Sequence, residues 1–162
     1  MPIPSSEALA TRSAAGQTAA QTVQRLRVWE KEFIAHPASV RLARDDVHAE
    51  LVVWGWEQER ADDVALICSE LVTNAIRHAC EPGDSIPVRL QECAGDCRLE
   101  VRDGRGDRMP IAKAVGIREH GHGLRLVAEM SEDWGVARRK GDKVVWARVL
   151  HAPAAGKPEV AA

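Results

Sequence analysis

Three polar side chains, Glu70, Asn74 and His78, follow one another at four-residue spacing. An α-helix turns by about 100° per residue, so this spacing places them on adjacent turns of one helix face. A carboxylate, an amide and an imidazole in a row at the margin of a core could form a site. They could also form an ordinary polar face beside a core stripe. The row alone therefore does not identify a site.

A second candidate group lies where a predicted strand ends. Asp103 follows the strand-like residues 98–102 and enters the run Gly104, Arg105 and Gly106. Strand ends that face a loop are common places for ligand contacts, and a buried carboxylate there could accept a hydrogen bond from an amine-bearing ring. A plain Asx turn is the alternative interpretation of the same residues.

The third group is the run Gly121, His122, Gly123 and Leu124, which opens a predicted helix. Glycines allow close approach of the backbone to a ligand, and the free N–H groups at a helix N-terminus suit phosphate. In the alternative interpretation the glycines only hinge a loop. A metal site built on His120 and His122 lacks further ligands at convincing spacing.

These groups need a helix, a strand end and a helix start to position them. The helix that carries the polar row is predicted over residues 62–79, because an apolar stripe runs along it. The stripe consists of Val64, Ile67, Cys68, Leu71, Ala75 and Ala79. Cys68 is expected to be a buried free thiol.

The rest of the pattern predicts two further helices and five strands. The helices are predicted at residues 38–54, with Ser39 as N-cap, and 124–130. The strands are predicted at residues 26–33, 86–91, 98–102, 132–138 and 143–150. This order predicts an α+β fold, a two-layer sandwich in which a mixed, mostly antiparallel sheet carries helices on one face. A long glycine-bearing loop with a helix-competent patch at 111–117 precedes the last helix.

Length and composition indicate one folded domain, residues 23–150, between disordered tails at 1–22 and 151–162. The net charge of −2 is spread without a basic patch, so neither nucleic acid nor an anionic membrane is favoured as a partner. No apolar run approaches the roughly 20 residues that span a bilayer, and the first residues lack a signal-peptide pattern. The four cysteines show no paired CxxC spacing, so a reduced, cytoplasmic protein is expected.

Taken in order, the three groups resemble the sequence boxes of the GHKL ATPases, which include gyrase and the histidine kinases. The run ELVTNAIRH at 70–78 resembles the N box, Asp103 with its glycines resembles the G1 box, and residues 121–124 resemble the G2 box. The variant SELVTNA, in one small domain, is most similar to the RsbW-type anti-sigma factor serine kinases. The resemblance extends over about residues 33–149.

The resemblance implies a Bergerat fold, an α/β sandwich that holds Mg-ATP beneath a lid at residues 105–120. Asn74 would supply its amide oxygen to Mg²⁺, which keeps several waters and needs few protein ligands. Glu70 would orient a water or take the proton from an attacking hydroxyl. His78 would lie near the phosphate or ribose end of the nucleotide.

The other two boxes would hold the rest of the nucleotide. Asp103 would accept a hydrogen bond from the adenine amine, with Gly104 and Gly106 beside it. The amides of Gly121, His122, Gly123 and Leu124 would hold the phosphates, assisted by the helix dipole.

Two features depart from the family pattern, one in the G1 box and one in the last hairpin. The G1 box is usually Asp-x-Gly-x-Gly, but Arg105 and Asp107 occupy the second and third conserved positions. A threonine that often supports the adenine contact from the last hairpin corresponds to Val144 or Val145. Both departures are expected to affect nucleotide access or affinity.

Three hypotheses for the function follow. In the first, the chain is a serine/threonine kinase that uses Mg-ATP, binds a sigma factor and phosphorylates an anti-anti-sigma protein. In the second, it is a non-catalytic interaction module, nucleotide-dependent or nucleotide-free, that regulates transcription through a partner. A plain α/β structural domain without a ligand is the third. A homodimer is possible, with Trp29, Trp56 or Trp134 contributing an exposed apolar patch.

Overall fold

The computed structural model describes residues 26–104, 122–139 and 141–151. The described residues form β1 (Arg27–Ile34), α1 (Pro37–Val53), α2 (Gln58–His78), β2 (Ser85–Cys93), β3 (Asp96–Asp103), α3 (His122–Met130), β4 (Asp133–Arg139) and β5 (Asp142–Leu150). Each predicted helix and strand is present, with boundaries shifted by a few residues. The patch at 111–117, the lid residues 105–120 and the tail at 1–22 lie outside the described residues, as does the tail at 151–162 apart from His151.

The five strands form one sheet in the order β1-β2-β3-β5-β4. Every pairing between them is antiparallel, whereas a mixed, mostly antiparallel sheet was expected. Two hairpins, β2–β3 and β4–β5, account for this arrangement, because a short turn can only join antiparallel neighbours. The β3–β5 pairing then joins the hairpins into an α+β sandwich of two layers, as predicted.

The start of α1 differs from the predicted cap. The Nδ1 atom of His36 accepts a hydrogen bond from the backbone N–H of Ala38 at 3.2 Å, so His36 is the N-cap. Pro37 follows at the first helical position, where its missing N–H costs nothing. Ser39, the predicted cap, is buried inside the first turn.

The helix α2 begins four residues earlier than predicted, and the connection before it carries a buried tryptophan. Gly55 adopts a φ of +89° and ends the α1 segment. Trp56 is then only 4% exposed, and its indole Nε1 donates to Glu92 Oε1 at 2.7 Å. Trp56 therefore anchors the connection to β2 and is not part of an exposed patch.

The core lies between the helices and one face of the sheet. The predicted apolar stripe of α2 is buried throughout and faces the inward side chains of β2, β3 and β5. Cys68 and Cys97 are buried free thiols, as predicted for Cys68, and desolvation raises the pKa of each to about 12. Among the helices of the described residues, none combines the length and apolarity needed to cross a membrane.

Candidate functional site

The polar row lies on the last turns of α2, at the margin of the core. Glu70 and Asn74 are half-buried, and His78, the last residue of the helix, is exposed. The stripe residues beside them, including Leu71 and Ala75, are buried. The half-buried position of the first two side chains therefore follows from helix geometry, whereas His78 is accessible to solvent.

The Asn74 side chain carries an unsatisfied polar atom. Its amide nitrogen Nδ2 is buried, and within the described part of the chain no group accepts a hydrogen bond from it. Leaving such a group unpaired costs about 1–3 kcal/mol, and asparagine is also a poor choice inside a helix. A ligand that contacts this amide would remove the cost.

The start of α3 lies directly against Glu70. A Cβ atom added to Gly123 would be 2.3 Å from Glu70 Oε2, closer than any real side-chain contact. The glycine is therefore what allows α3 and the carboxylate to approach each other. Two groups that the sequence placed far apart, the polar row and the second glycine run, thus meet in one place.

The structure describes only part of the rest of the glycine run. His122 is the first residue of α3, and Leu124 is half-buried and packs against the core. Gly121 and Gly106 lie outside the described residues. The backbone N–H groups of the first turn of α3 point out of the end of the helix, and helix ends of this kind suit anions.

Asp103 is the last residue of β3 and is buried, with Gly104 exposed directly after it. Its carboxylate Oδ2 is 3.0 Å from the Lys143 ammonium, and the two side chains are only 2% and 5% exposed. A plain Asx turn does not account for a buried, ion-paired carboxylate. The predicted acceptor is thus present, but with a cation beside it.

The sequence pattern did not single out Lys143, the partner of Asp103 in the structure. The register places Lys143 directly opposite Asp103. Val144 lies on the other face of the sheet, beside Arg89 and Glu100, and Val145 is part of the core. The position opposite Asp103 in the last hairpin is therefore a lysine, not one of the two valines. The alternation of β5 already placed Lys143 on the face of Val145 and Ala147, and this signal could have identified it.

Comparisons with known proteins identify a family and a solved structure with a similar fold. A family model described as the histidine kinase-like ATPase domain matches residues 33–149. No curated protein matches the chain. A crystal structure of the RsbU and RsbW domains of a Mycobacterium tuberculosis protein is similar, with a TM-score of 0.60 and 17% sequence identity. That similarity covers 76% of this chain and 32% of the other, so this chain spans about a third of its length.

Proposed function

The chain belongs to the family of histidine kinase-like ATPase domains, and from this premise we propose that it is an ATP-binding regulatory protein. The approach of Gly123 to Glu70 is the observation that carries the proposal. It brings a carboxylate to the N-terminus of a helix. Asn74, whose Nδ2 has no hydrogen-bond acceptor among the described residues, lies one helical turn further along α2. An acid, an amide and a phosphate-binding helix end are the groups that a nucleotide site requires.

The residues present fit Mg²⁺ and a triphosphate. An asparagine side chain offers one oxygen acceptor and two N–H donors, so the Asn74 amide can satisfy a cation, a phosphate oxygen or both. When bound, Mg²⁺ neutralises charge on the phosphates. The backbone amides of Gly123 and Leu124 would hold phosphate oxygens, and His78, exposed at the end of α2, would contact the phosphate or ribose end.

Glu70 is the proposed general base. Its carboxylate is half-buried, which excludes part of the solvent, and Gly123 leaves it room beside α3. It would orient the attacking hydroxyl and take its proton as the phosphoryl group transfers.

The finer proposal is a cytoplasmic serine/threonine kinase of the RsbW type. Its substrate would be a serine on an anti-anti-sigma protein, and a sigma factor would be its second partner. The SELVTNA run of the N box and the small single-domain match support this proposal.

A non-catalytic nucleotide-binding module is the second candidate. Arg105 and Asp107 stand where the family pattern has glycines, and the Asp103 carboxylate is paired with Lys143. Both features change the G1 box and leave the N box unchanged. A protein of this kind would bind ATP and control its partner without transferring phosphate.

Calorimetric titration of Mg-ATP into the wild-type protein and Asn74→Ala tests nucleotide binding. We expect heat from the wild type and at least about tenfold weaker binding by the variant. The ligand-free variant should unfold at the same temperature or higher, because it loses an unsatisfied amide and gains a better helix former. The control Gln58→Ala removes an exposed amide from the start of the same helix. Absence of heat with the wild type would exclude the proposal.

Incubation with labelled ATP and a panel of anti-anti-sigma proteins separates the two candidates. For the kinase, Glu70→Gln should bind Mg-ATP normally but lose phosphoryl transfer by about 10²-fold or more. Glu59→Gln, an exposed acid on the first turn of α2, is the matched control. Nucleotide binding without label on any serine would favour the non-catalytic module.

A further inference from the structure

The face of the sheet away from the helices carries a cavity of about 200 Å³. Its lining includes three arginines and two glutamates, which come from four of the five strands: Glu30, Arg89, Glu100, Arg102 and Arg139. The helix α2, which carries the polar row, packs on the opposite face of the sheet. The cavity is therefore separate from the proposed nucleotide site.

The two carboxylates of the cavity are both engaged by neighbouring arginines. Glu100 is only 8% exposed, and its Oε1 lies 2.7 Å from Arg98 Nε and 4.0 Å from Arg139 Nη2. Glu30 Oε1 lies 3.5 Å from Arg102 Nη2. Each carboxylate is thus committed to at least one guanidinium group.

Arg89 is the arginine of the cavity that has no such partner. The strand register places it directly between Glu30 and Glu100, but no residue that the structure describes forms a hydrogen bond or ion pair with it. Its Nε is buried, and a guanidinium remains charged at physiological pH, so it cannot reduce the cost by losing its proton. The two flanking carboxylates offset part of that cost through their charge, but they leave the N–H donors without an acceptor.

We propose that this cavity is a binding site for a carboxylate group, with Arg89 as its principal ligand. Arg89 is half-buried and lines the cavity, and the planar fork of a guanidinium holds both oxygens of a carboxylate. One unpaired guanidinium matches one negative charge, whereas Glu30 and Glu100 would repel the second charge of a phosphate dianion. A free organic acid and an acidic side chain of another protein present the same group.

Titration of sodium acetate into the intact chain, without nucleotide and in place of sodium chloride at constant ionic strength, tests the site. Proton–nitrogen correlation spectra follow the Nε–H signal of Arg89 and the backbone amides of Arg102 and Val144, which also line the cavity. We expect these signals to shift and to reach saturation with acetate. Inorganic phosphate should bind more weakly than acetate.

Arg89→Gln should weaken acetate binding, followed through the backbone amides, by at least about tenfold, the loss of one charged hydrogen bond. Arg148→Gln is the matched control. Its guanidinium lies on the same face of the sheet, 3.3 Å from Asp96, and does not line the cavity. This variant should bind acetate as the wild type does.

A second titration distinguishes the two sources of the carboxylate. An N-acetylated, C-amidated glycine tripeptide with one central glutamate carries a single acidic side chain, and its glutamine counterpart carries none. Tighter binding of the glutamate peptide than of acetate assigns the site to an acidic side chain of a partner protein. Tighter binding of acetate assigns it to a small organic acid. The glutamine peptide should produce no saturable shift.

Arg89→Gln removes the cation between Glu30 and Glu100, so its folding is checked by thermal unfolding. If it does not fold, Arg89→Lys, which retains the charge but not the planar fork, is measured in its place with the same expectation. Absence of a saturable shift in the wild type overturns the proposal, as does acetate binding that is unchanged in the folded Arg89 variant. Tighter binding of phosphate than of acetate would refute the choice of ligand. None of these results depends on whether the chain binds ATP.

Discussion

At the scale of single residues, the site depends on one glycine. Gly123 allows the first turn of α3 to lie against the Glu70 carboxylate, and nothing larger fits there while Glu70 keeps its position. The atom that a new Cβ would meet is the far end of a flexible side chain, so the carboxylate can move aside. A substitution at Gly123 should therefore disturb the position of Glu70 more than the fold.

A double-mutant cycle between Gly123→Ala and Glu70→Ala measures this contact without any ligand. Alanine is favoured over glycine in a helix by about 0.5–1 kcal/mol, less near a helix end. In the Glu70→Ala background, Gly123→Ala should show that gain in urea denaturation. With Glu70 present the gain should disappear, because the carboxylate must be displaced. Equal effects in the two backgrounds would show that the residues do not touch.

At the scale of the secondary-structure elements, the β4–β5 hairpin carries a stacked arrangement on the face of the sheet away from the helices. Gly135 in β4 pairs in register with Trp146 in β5. A Cβ on Gly135 would lie 2.9 Å from an indole carbon, and the Arg98 guanidinium lies 4.0 Å from the centroid of the same ring. The indole thus covers a glycine and is contacted by a cation, which links β4, β5 and β3.

Gly135→Ala should destabilise the protein by about 1–3 kcal/mol, because the rigid indole must shift and lose its contact with Arg98. Urea denaturation followed by tryptophan fluorescence measures the change. Gly104→Ala is the control for stability, since a Cβ there meets nothing within 4 Å, and it should change stability by less than about 0.5 kcal/mol. A Gly135→Ala protein as stable as this control would contradict the stacking.

At the scale of the whole molecule, the end of the last strand is tied back to the start of the central helix. Arg60 Nε and Nη2 both donate to the Leu150 carbonyl, at 3.2 and 2.9 Å, and Nη1 donates to Asp63 at 2.7 Å. Beyond Leu150, the His151 ring meets Trp56 edge to face at a centroid distance of 5.0 Å. These contacts hold the C-terminal end of β5 against the start of α2.

Arg60→Lys should destabilise the protein by about 1–2 kcal/mol, because an ammonium cannot reproduce the forked contacts of a guanidinium. The free energy of unfolding in urea measures the effect. Arg41→Lys is the matched control: its guanidinium pairs with Asp45 on the surface and is 87% exposed, so its replacement should cost little. If Arg60→Lys and Arg41→Lys lower the free energy of unfolding equally, the hydrogen bonds of the Arg60 guanidinium contribute nothing to stability.

Local pattern was sufficient to predict most of the fold. The stripe on α2 and the alternation of the strands depend on residues a few positions apart, and the sequence carries that information directly. The errors also have local causes: His36 caps α1 with a ring nitrogen in place of the expected Ser39 hydroxyl, and Trp56 is buried although it was a candidate for an exposed patch. The antiparallel pairing of every strand depends on which strands become neighbours, and periodicity does not encode that.

For the site, the sequence by itself determined the candidates: the row of Glu70 and Asn74 on one helix face, and Asp103 at a strand end. Only the tertiary structure decided their neighbours. It placed Gly123 against Glu70 and Lys143 against Asp103. Those contacts depend on α3 packing against α2 and on β5 pairing with β3, between segments far apart in the chain. Helix and strand periodicity give the side of an element on which a residue lies, but its partner across a contact is fixed only when the elements pack.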